Sequence, residues 1–467
     1  MIFNLPNEVY KILNTFSKHE IEIYIVGGAV RDFLMQKTIV DWDYTTNATP
    51  EQILSLFKDA FYNNQFGTVG IPSQDICLKP HEITTYRTEQ GYSDSRRPDK
   101  VSWGSSLLED LKRRDFTINA MALGLNKNKE IETSEISAKI NDKNKLTLYL
   151  HDPYGGQKDL IKKFIRAVGD PTERFMEDAL RMMRAVRIAT ELNFKIEKST
   201  LNAIKSSAGL INKISGERVR DELFKILCSP HPAEGILLLD ETDLLEKILP
   251  ELKKAFGVEQ KSPQRHHIYD VGTHLINSLK EVKTTDPIVR LAVLIHDIGK
   301  PQTFKKQENN VITFYNHEVI GARIANQIAD RLKLSKIQKD RLWKLVRWHQ
   351  FSVDENQTDS AIRRFINKIG KENIEDMLEL RRADRIGSGA RETSWRTEDF
   401  KKRLIEVQKQ PFTVHDLKIT GHDVMRELNL KAGPKIGKIL NELFLKVENK
   451  KIPNEKEALI QELKLQK

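Results

Sequence analysis

The sequence predicts an α+β protein, with a mixed head of strands and helices followed by a long all-helical remainder. Three observations carry that prediction. Strand-like runs rich in apolar and β-branched residues, such as Ile21–Val26 (IEIYIV) and Glu82–Arg87 (EITTYR), fall within roughly the first 125 residues. From about Lys158 the apolar residues recur at helical spacing, with arginines interleaved in PTERFMEDALRMMRAVRIATEL. The composition, 39% hydrophobic and 30% charged over 467 residues, is that of a soluble globular chain long enough for about three domains.

Taken in order, the N-terminal MIFNLPNEVYKILNTF reads as an amphipathic helix and lacks the basic-then-apolar layout of a signal peptide. The charged stretch near 126–145 reads as a surface hairpin or loop. Arg290–Ile295 (RLAVLI) reads as a buried helical segment ending in His-Asp. GHDVMRELNL and GPKIGKILNELFLKVENK read as short helices separated by Gly and Pro. No internal repeat is apparent. No run approaches the roughly 20 apolar residues of a membrane span. Cys77 and Cys228 stand far apart without a metal-like spacing, which disfavours a disulfide scaffold. A cytoplasmic protein with no membrane partner is expected. The net charge of +10, with a pI near 9.2, points to a polyanionic partner such as nucleic acid.

The chemistry-bearing residues begin at Gly27-Gly28, which close a strand ahead of Ala-Val-Arg31-Asp32. Glycines there let a triphosphate approach the backbone, and helix N-terminal amides favour anions; the same pair alone is also an ordinary turn. Asp41-Trp-Asp43 follows. In extended chain, residues two apart face the same side, so both carboxylates can hold Mg²⁺ together with phosphate oxygens. A solvated acidic turn would look the same in isolation. Glu82 either completes this cluster or is the polar half of an alternating strand.

The wording as a whole is more specific than its parts. GGAVRD (27–32), DWDYTT (41–46), EITTYRTEQGYSDSRRP (82–98), RRDFTINAMAL (113–123), DPYGGQKDL (152–160), EDALRMMRAVRIA (177–189) and GERVRDEL (216–223) occur in this order over the first half of the chain. In this the chain resembles the class II nucleotidyltransferases of the DNA polymerase β superfamily, the tRNA CCA-adding enzymes and bacterial poly(A) polymerases. The resemblance implies a polymerase β-like head with a small mixed sheet, then an all-α neck and body. It implies that Gly27, Gly28 and Arg31 contact the incoming triphosphate and that catalytic Asp41 and Asp43 hold Mg²⁺, with Glu82 beside them. Arg114 and Asp115 would bind the nucleotide.

Asp178 and Arg181 lie three apart on a stretch expected to be helical, hence on one face. Cytosine and adenine each present an exocyclic amine beside an unprotonated ring nitrogen. A carboxylate accepts from the first and a guanidinium donates to the second, whereas uracil and guanine reverse the pattern. Without context the pair is equally a surface ion pair. The family reads bases with the equivalent residues, and Arg184 and Arg187 extend its nucleotide contacts. Glu217-Arg218 are expected to brace this helix from the next. CTP, ATP and tRNA are the implied partners. The stretch RTEQGYSDSRRPDKVSW resembles the loop with which CCA-adding enzymes change from C to A, and RRDFTINAMAL favours CCA addition over polyadenylation.

Behind the head, His274, His296-Asp297, His317, His349 and Asp384 form a set of imidazole and carboxylate ligands suited to a divalent metal. His296-Asp297 ends an apolar helix, and the pattern resembles the HD phosphohydrolase superfamily. His317 and His349 match the extra histidines of members that bind two metals. His151-Asp152, His415-Asp416 and His422-Asp423 lack that context and read as structural; His266-His267 read as a solvated loop. The expected domains are the nucleotidyltransferase head at 1–150, a helical neck and body at 151–265, an all-α HD domain at 266–400 that either hydrolyses a phosphoester or only braces tRNA, and a helical tail at 401–467 that either touches RNA or is an ordinary helical cap. Other readings of the chain are a poly(A) polymerase, or an HD hydrolase with an RNA-binding N-terminal half.

Overall fold

The computed structural model describes residues 3–62, 67–73, 79–90, 100–103, 106–128, 130–140, 144–260, 269–308, 310–351, 357–408, 414–448 and 451–465. Most of the loop expected to time the change from C to A, residues 91–99, and His266-His267 lie outside the described residues. The chain forms two compact units, Met1–Lys253 and Lys254–Lys467.

The first unit opens with a short strand, Phe3–Leu5, and then the helix Asn7–Lys18. The amphipathic pattern therefore begins only after Pro6. That helix buries Val9, Ile12, Leu13 and Phe16, the i, i+3, i+4, i+7 stripe of a surface helix. It packs on a nine-stranded mixed sheet, larger than a small one. In spatial order the strands are Phe3–Leu5, Thr133–Ile140, Asn144–His151, Ala122–Gly124, Ile23–Val26, Asp43–Thr46, His81–Thr85, Thr68–Ile71 and Phe61–Tyr62. The charged 126–145 stretch thus contributes to a paired hairpin, and the first strand runs parallel to it. Asp43–Thr46 runs parallel to His81–Thr85, and Ile23–Val26 is antiparallel to its neighbours on both sides. Ile23–Val26 is buried throughout, as a strand with a partner on each edge should be.

Helices follow the sheet. Leu180–Leu192 buries Met182, Met183, Val186 and Ile188 and ends at Asn193, whose φ of 55° is a left-handed cap. It packs against Gly216–Cys228 and Pro232–Glu241. In the second unit, Val271–Lys280, Pro287–Ile295, His317–Arg331, Lys336–Trp348 and Ile374–Gly387 pack around one another. Asp286 caps Pro287–Ile295 through the amides of Ile288 and Val289, and Ser335 and Gln338 form a capping box at Lys336–Trp348. Trp395–Gln408 packs on Asp359–Ile369, and the last helices share a separate core from Leu417 to Leu463. Among the described residues no helix is long and apolar enough to cross a membrane.

Candidate active site and metal centre

In the head, backbone pairing aligns the carboxylates. The parallel register sets Asp43 beside Glu82, and the Glu82 amide donates to the Trp42 carbonyl. Asp41 lies just before the strand and receives a 2.7 Å hydrogen bond from Lys79. The Asp43 carboxyl is pushed up to about 6 by burial first, then by the charge of Asp41 and with a further contribution from Glu82, against the lowering effects of Arg114 and Lys79. Such crowding of negative charge favours a cation. Gly27, with φ at 71°, leaves room for Arg114: a Cβ there would lie 3.2 Å from Arg114 Nη1 and 3.8 Å from Asp43 Oδ2. Gly28, Arg31 and Asp32 sit on the helix Gly28–Leu34.

Arg31 forks onto Asp32 with two 2.9 Å bonds and donates through Nη1 to Asn119. Asn119 donates in turn to Asp115 Oδ1, while Arg184 Nε and Nη2 donate to Asp115 Oδ2 at 2.8 and 2.6 Å. Burial alone would raise the Asp115 carboxyl. The Arg184 charge and hydrogen bonds, the Asn119 amide and the Arg181 charge outweigh it and hold the group at about 2. A continuous polar chain therefore runs from the Gly-Gly turn to the helix Leu180–Leu192. Fully buried Asp110 accepts from Arg113 and Arg114, so the RR pair of RRDFT is held from beneath.

The pair Asp178 and Arg181 does not share one helix. Asp178 caps the end of Pro171–Glu177 with φ −144° and ψ 104°, and the next helix starts at Leu180. The break follows from Asp178 itself, whose side chain accepts from the Leu180 amide, a local bond that competes with helix continuation. The backbone bond from Arg181 N to Asp178 O keeps the two residues adjacent. Arg218 holds Asp178 Oδ2 at 2.8 Å, whereas Arg181 is held by Glu177 and by the Arg174 and Arg113 carbonyls. Arg187 Nε meets buried Glu222 at 2.9 Å. Glu217, expected to brace with Arg218, is exposed.

In the second unit all six rear residues converge. His274, His296 and Asp297 form one group with potential ligand atoms within 4.8 Å of one another, and Asp297, His317 and His349 form another. Asp297 belongs to both. Asp384 Oδ1 completes the first, 3.2 Å from His274 Nε2 and 3.6 Å from His296 Nε2. The ring orientations are set from behind. Nδ1 of His296, His317 and His349 donates to the carbonyls of Val293, Phe314 and Val346 at 2.8, 2.8 and 2.7 Å. Each bond keeps a proton on Nδ1 and turns Nε2 inward, the orientation a metal ligand needs. Lys300 is buried and lies 2.6 Å from Asp297 Oδ2. Gly299 lets the two ligand-bearing segments touch, since a Cβ there would overlap the His317 carbonyl.

The comparison doublets differ. His151 Nε2 accepts from the Asn128 amide and Asp152 caps the helix Gly156–Lys162 through the Gly156 and Gln157 amides. Asp423 closes the capping box of Gly421–Leu428.

Family models match three stretches: residues 23–166 match the poly A polymerase head domain, 193–256 the "Probable RNA and SrmB- binding site of polymerase A", and 305–463 tRNA nucleotidyltransferase domain 2. A CCA-adding enzyme of Ligilactobacillus salivarius is 32% identical, with 99% of this chain and 98% of that protein covered. The chain belongs to the CCA-adding enzyme family of class II nucleotidyltransferases. A CCA-adding enzyme of Levilactobacillus brevis is 34% identical over 98% of each chain. The crystal structure of the Bacillus stearothermophilus CCA-adding enzyme in complex with CTP matches at 27% identity and a TM-score of 0.68, covering 98% of this chain and 96% of that one. The fold is shared as well with the Thermotoga maritima CCA-adding enzyme complexed with tRNA, at 20% identity, a TM-score of 0.58, and coverage of 98% and 95%.

Sequence reasoning missed Asp110, Glu177, Asn119, Glu222 and Lys300. Three of them carried a signal: Asp110 stands three and four residues before Arg113 and Arg114, Glu177 four before Arg181, and Lys300 three after Asp297, the spacings of helical ion pairs. The links of Glu222 to Arg187 and of Asn119 to Arg31 cross elements and carried none.

Proposed function

We propose that the chain adds C, C and A to tRNA 3′ ends from CTP and ATP without a nucleic-acid template. The observation that carries this reading is the convergence of Asp43, Glu82, Gly27 and Arg114 at one end of the central strands of the head sheet, in a chain of this family. The raised carboxyl of Asp43 beside Asp41 and Glu82 is the donor set that suits Mg²⁺. Two bound Mg²⁺ ions would activate the RNA 3′-hydroxyl and stabilise departing pyrophosphate. The remaining work falls to side chains of the chain. Gly27 and Gly28 leave the backbone open to the triphosphate, and Arg31 and Arg114 supply cations beside it. Asp178 accepts from the exocyclic amine of C or A, while Arg181 donates to the ring nitrogen. Arg218 and Glu177 pre-orient that pair, and Arg184 and Arg187 sit on the same helix for further nucleotide contact.

For residues 266–400 we infer an HD-type metal domain with phosphohydrolase activity. The inward orientation of the Nε2 atoms around shared Asp297 supports it, and the donor set suits one or two divalent transition-metal ions. Bound metal would supply an activated water for phosphoester cleavage. The lysines of GPKIGKIL are assigned to RNA phosphates.

Purified protein incubated with Mg²⁺, CTP, ATP and tRNA lacking its 3′ end should yield C, C and A followed by arrest. A long A tail would replace this reading with poly(A) polymerase, arrest after two Cs with a CC-adding enzyme, and no extension would overturn it.

A further inference from the structure

Beneath the head carboxylates lies a buried polar cluster that the proposed chemistry does not use. Asp43 and Glu82 stand side by side where two parallel strands begin. Successive residues of a strand face opposite sides of a sheet, so Tyr44 and His81, one residue from each carboxylate, lie on the far side. The helix Asn7–Lys18 covers that side, in one core with Trp42, Tyr44 and Ile83. His81 is fully buried and met at both ring nitrogens: Nδ1 is 3.1 Å from the Tyr44 hydroxyl, and Nε2 is 3.2 Å from Glu8 Oε1. The other oxygen of Glu8 accepts from Ser73 at 3.1 Å. Apolar residues would fill this space without desolvating a carboxylate and an imidazole. What the polar contacts add is direction, since each holds only at one orientation of its partners. Direction matters most at the strand starts. The ladder to Ile23–Val26 reaches Tyr44 and stops short of Asp43, and Glu82 is the second residue of its strand. Where that pairing thins, the cluster ties both strand starts to one helix.

We propose that Glu8, His81 and Tyr44 are positioning residues for nucleotide addition, fixing the separation and tilt of the Asp43 and Glu82 carboxylates from the far face of the sheet. This rests on reading those carboxylates as the metal-holding pair of the head. The three side chains touch no substrate in this role; they act through the strand backbone that carries the carboxylates.

The test uses full-length protein. Tyr44→Phe deletes one hydroxyl, Glu8→Leu breaks the contact with His81, and Glu8→Gln keeps an oxygen that can face both His81 and Ser73. Leu13→Ala, fully buried in the same helix, is the control for lost stability alone. In Tyr44→Phe and Glu8→Leu, kcat for C addition should fall about ten-fold while KM for CTP stays within about two-fold. Glu8→Gln should recover most of the rate, and Leu13→Ala should lower Tm at least as far with kcat unchanged. An equal loss of kcat in Leu13→Ala, or wild-type kcat in Tyr44→Phe and Glu8→Leu, overturns the proposal. If Glu8→Leu does not fold, Tyr44→Phe carries the comparison. Mn²⁺ titration followed by electron paramagnetic resonance reads the same geometry without turnover, the sites that Asp43→Asn removes being those of the head. Their affinity should weaken about ten-fold in Tyr44→Phe and hold in Leu13→Ala. Unchanged affinity in Tyr44→Phe, or no site in wild type that Asp43→Asn removes, overturns the positioning role. If wild type extends no RNA, the CCA-adding reading fails on its own and this titration decides the cluster.

Discussion

Arg184 donates two hydrogen bonds to one oxygen of Asp115, a residue 69 positions earlier in the chain. The bond ties the RRDFT segment of the head to the neck helix inside the same compact unit. Because the folded-state carboxyl is held at about 2, below its unfolded value, the pair stabilises the fold above the unfolded pKa of about 4 and loses that contribution as pH falls through 2. Asp115→Asn should therefore cost at least about 2 kcal/mol at pH 7, more if stranded Arg184 finds no partner. Urea unfolding at pH 7 and pH 3 checks this; a difference that does not shrink at pH 3 contradicts it.

Asp43 has the opposite sign. Its carboxyl is raised to about 6, so it destabilises the folded state once pH rises above the unfolded value, and a neutral replacement relieves that cost. Asp43→Asn should abolish C addition while raising stability at pH 7 by roughly 1–3 kcal/mol. At subsaturating Mg²⁺, wild-type addition should fall about ten-fold per pH unit below 6, and higher Mg²⁺ should move that limb to lower pH. An unchanged midpoint of denaturation together with retained addition would reject Asp43 as a ligand.

Arg218 reaches Asp178 from the neighbouring helix and fixes one carboxylate oxygen. Removing it with Arg218→Ala leaves Asp178 and Arg181, the pair proposed to read the base, in place but with Asp178 loosely held. Misincorporation of UTP should rise about ten-fold relative to CTP, the equivalent of one charge-assisted hydrogen bond. Competition assays with mixed nucleotides measure it, and unchanged fidelity would mean that Arg218 only braces the helix.

Asp297 is shared by both groups in the rear cluster and is paired with buried Lys300. Asp297→Ala should empty all bound metal and leave Lys300 uncompensated, at about 3–5 kcal/mol. His296→Ala should reduce metal content without that added destabilisation. Elemental analysis and thermal melts separate the two, and chelator treatment of wild type should lower Tm by ligand linkage. Both variants should retain CCA addition.

Much of this site was legible where local spacing carried it. Asp43 and Glu82 come from two recognisable strands, and His296-Asp297 ends an apolar run that reads as a buried helical segment. What escaped was set by long-range pairing. Phe3–Leu5 reads as the start of a helix because its strand partner is 133–140, more than a hundred residues away. The helix break at Asp178 escaped because a side chain bonding to the amide two residues on is invisible to helical periodicity. Likewise, the convergence of the rear ligands was expected, but the carbonyls that orient their rings were not.

Strand Asp43–Thr46 has neighbours on both edges, so the carboxylates of the head stand on backbone that cannot shift without breaking two ladders. Asp43 is thus a fixed point of the head. If RNA is extended beside Asp43, a strand held on both edges would keep the point of addition in place from one nucleotide to the next.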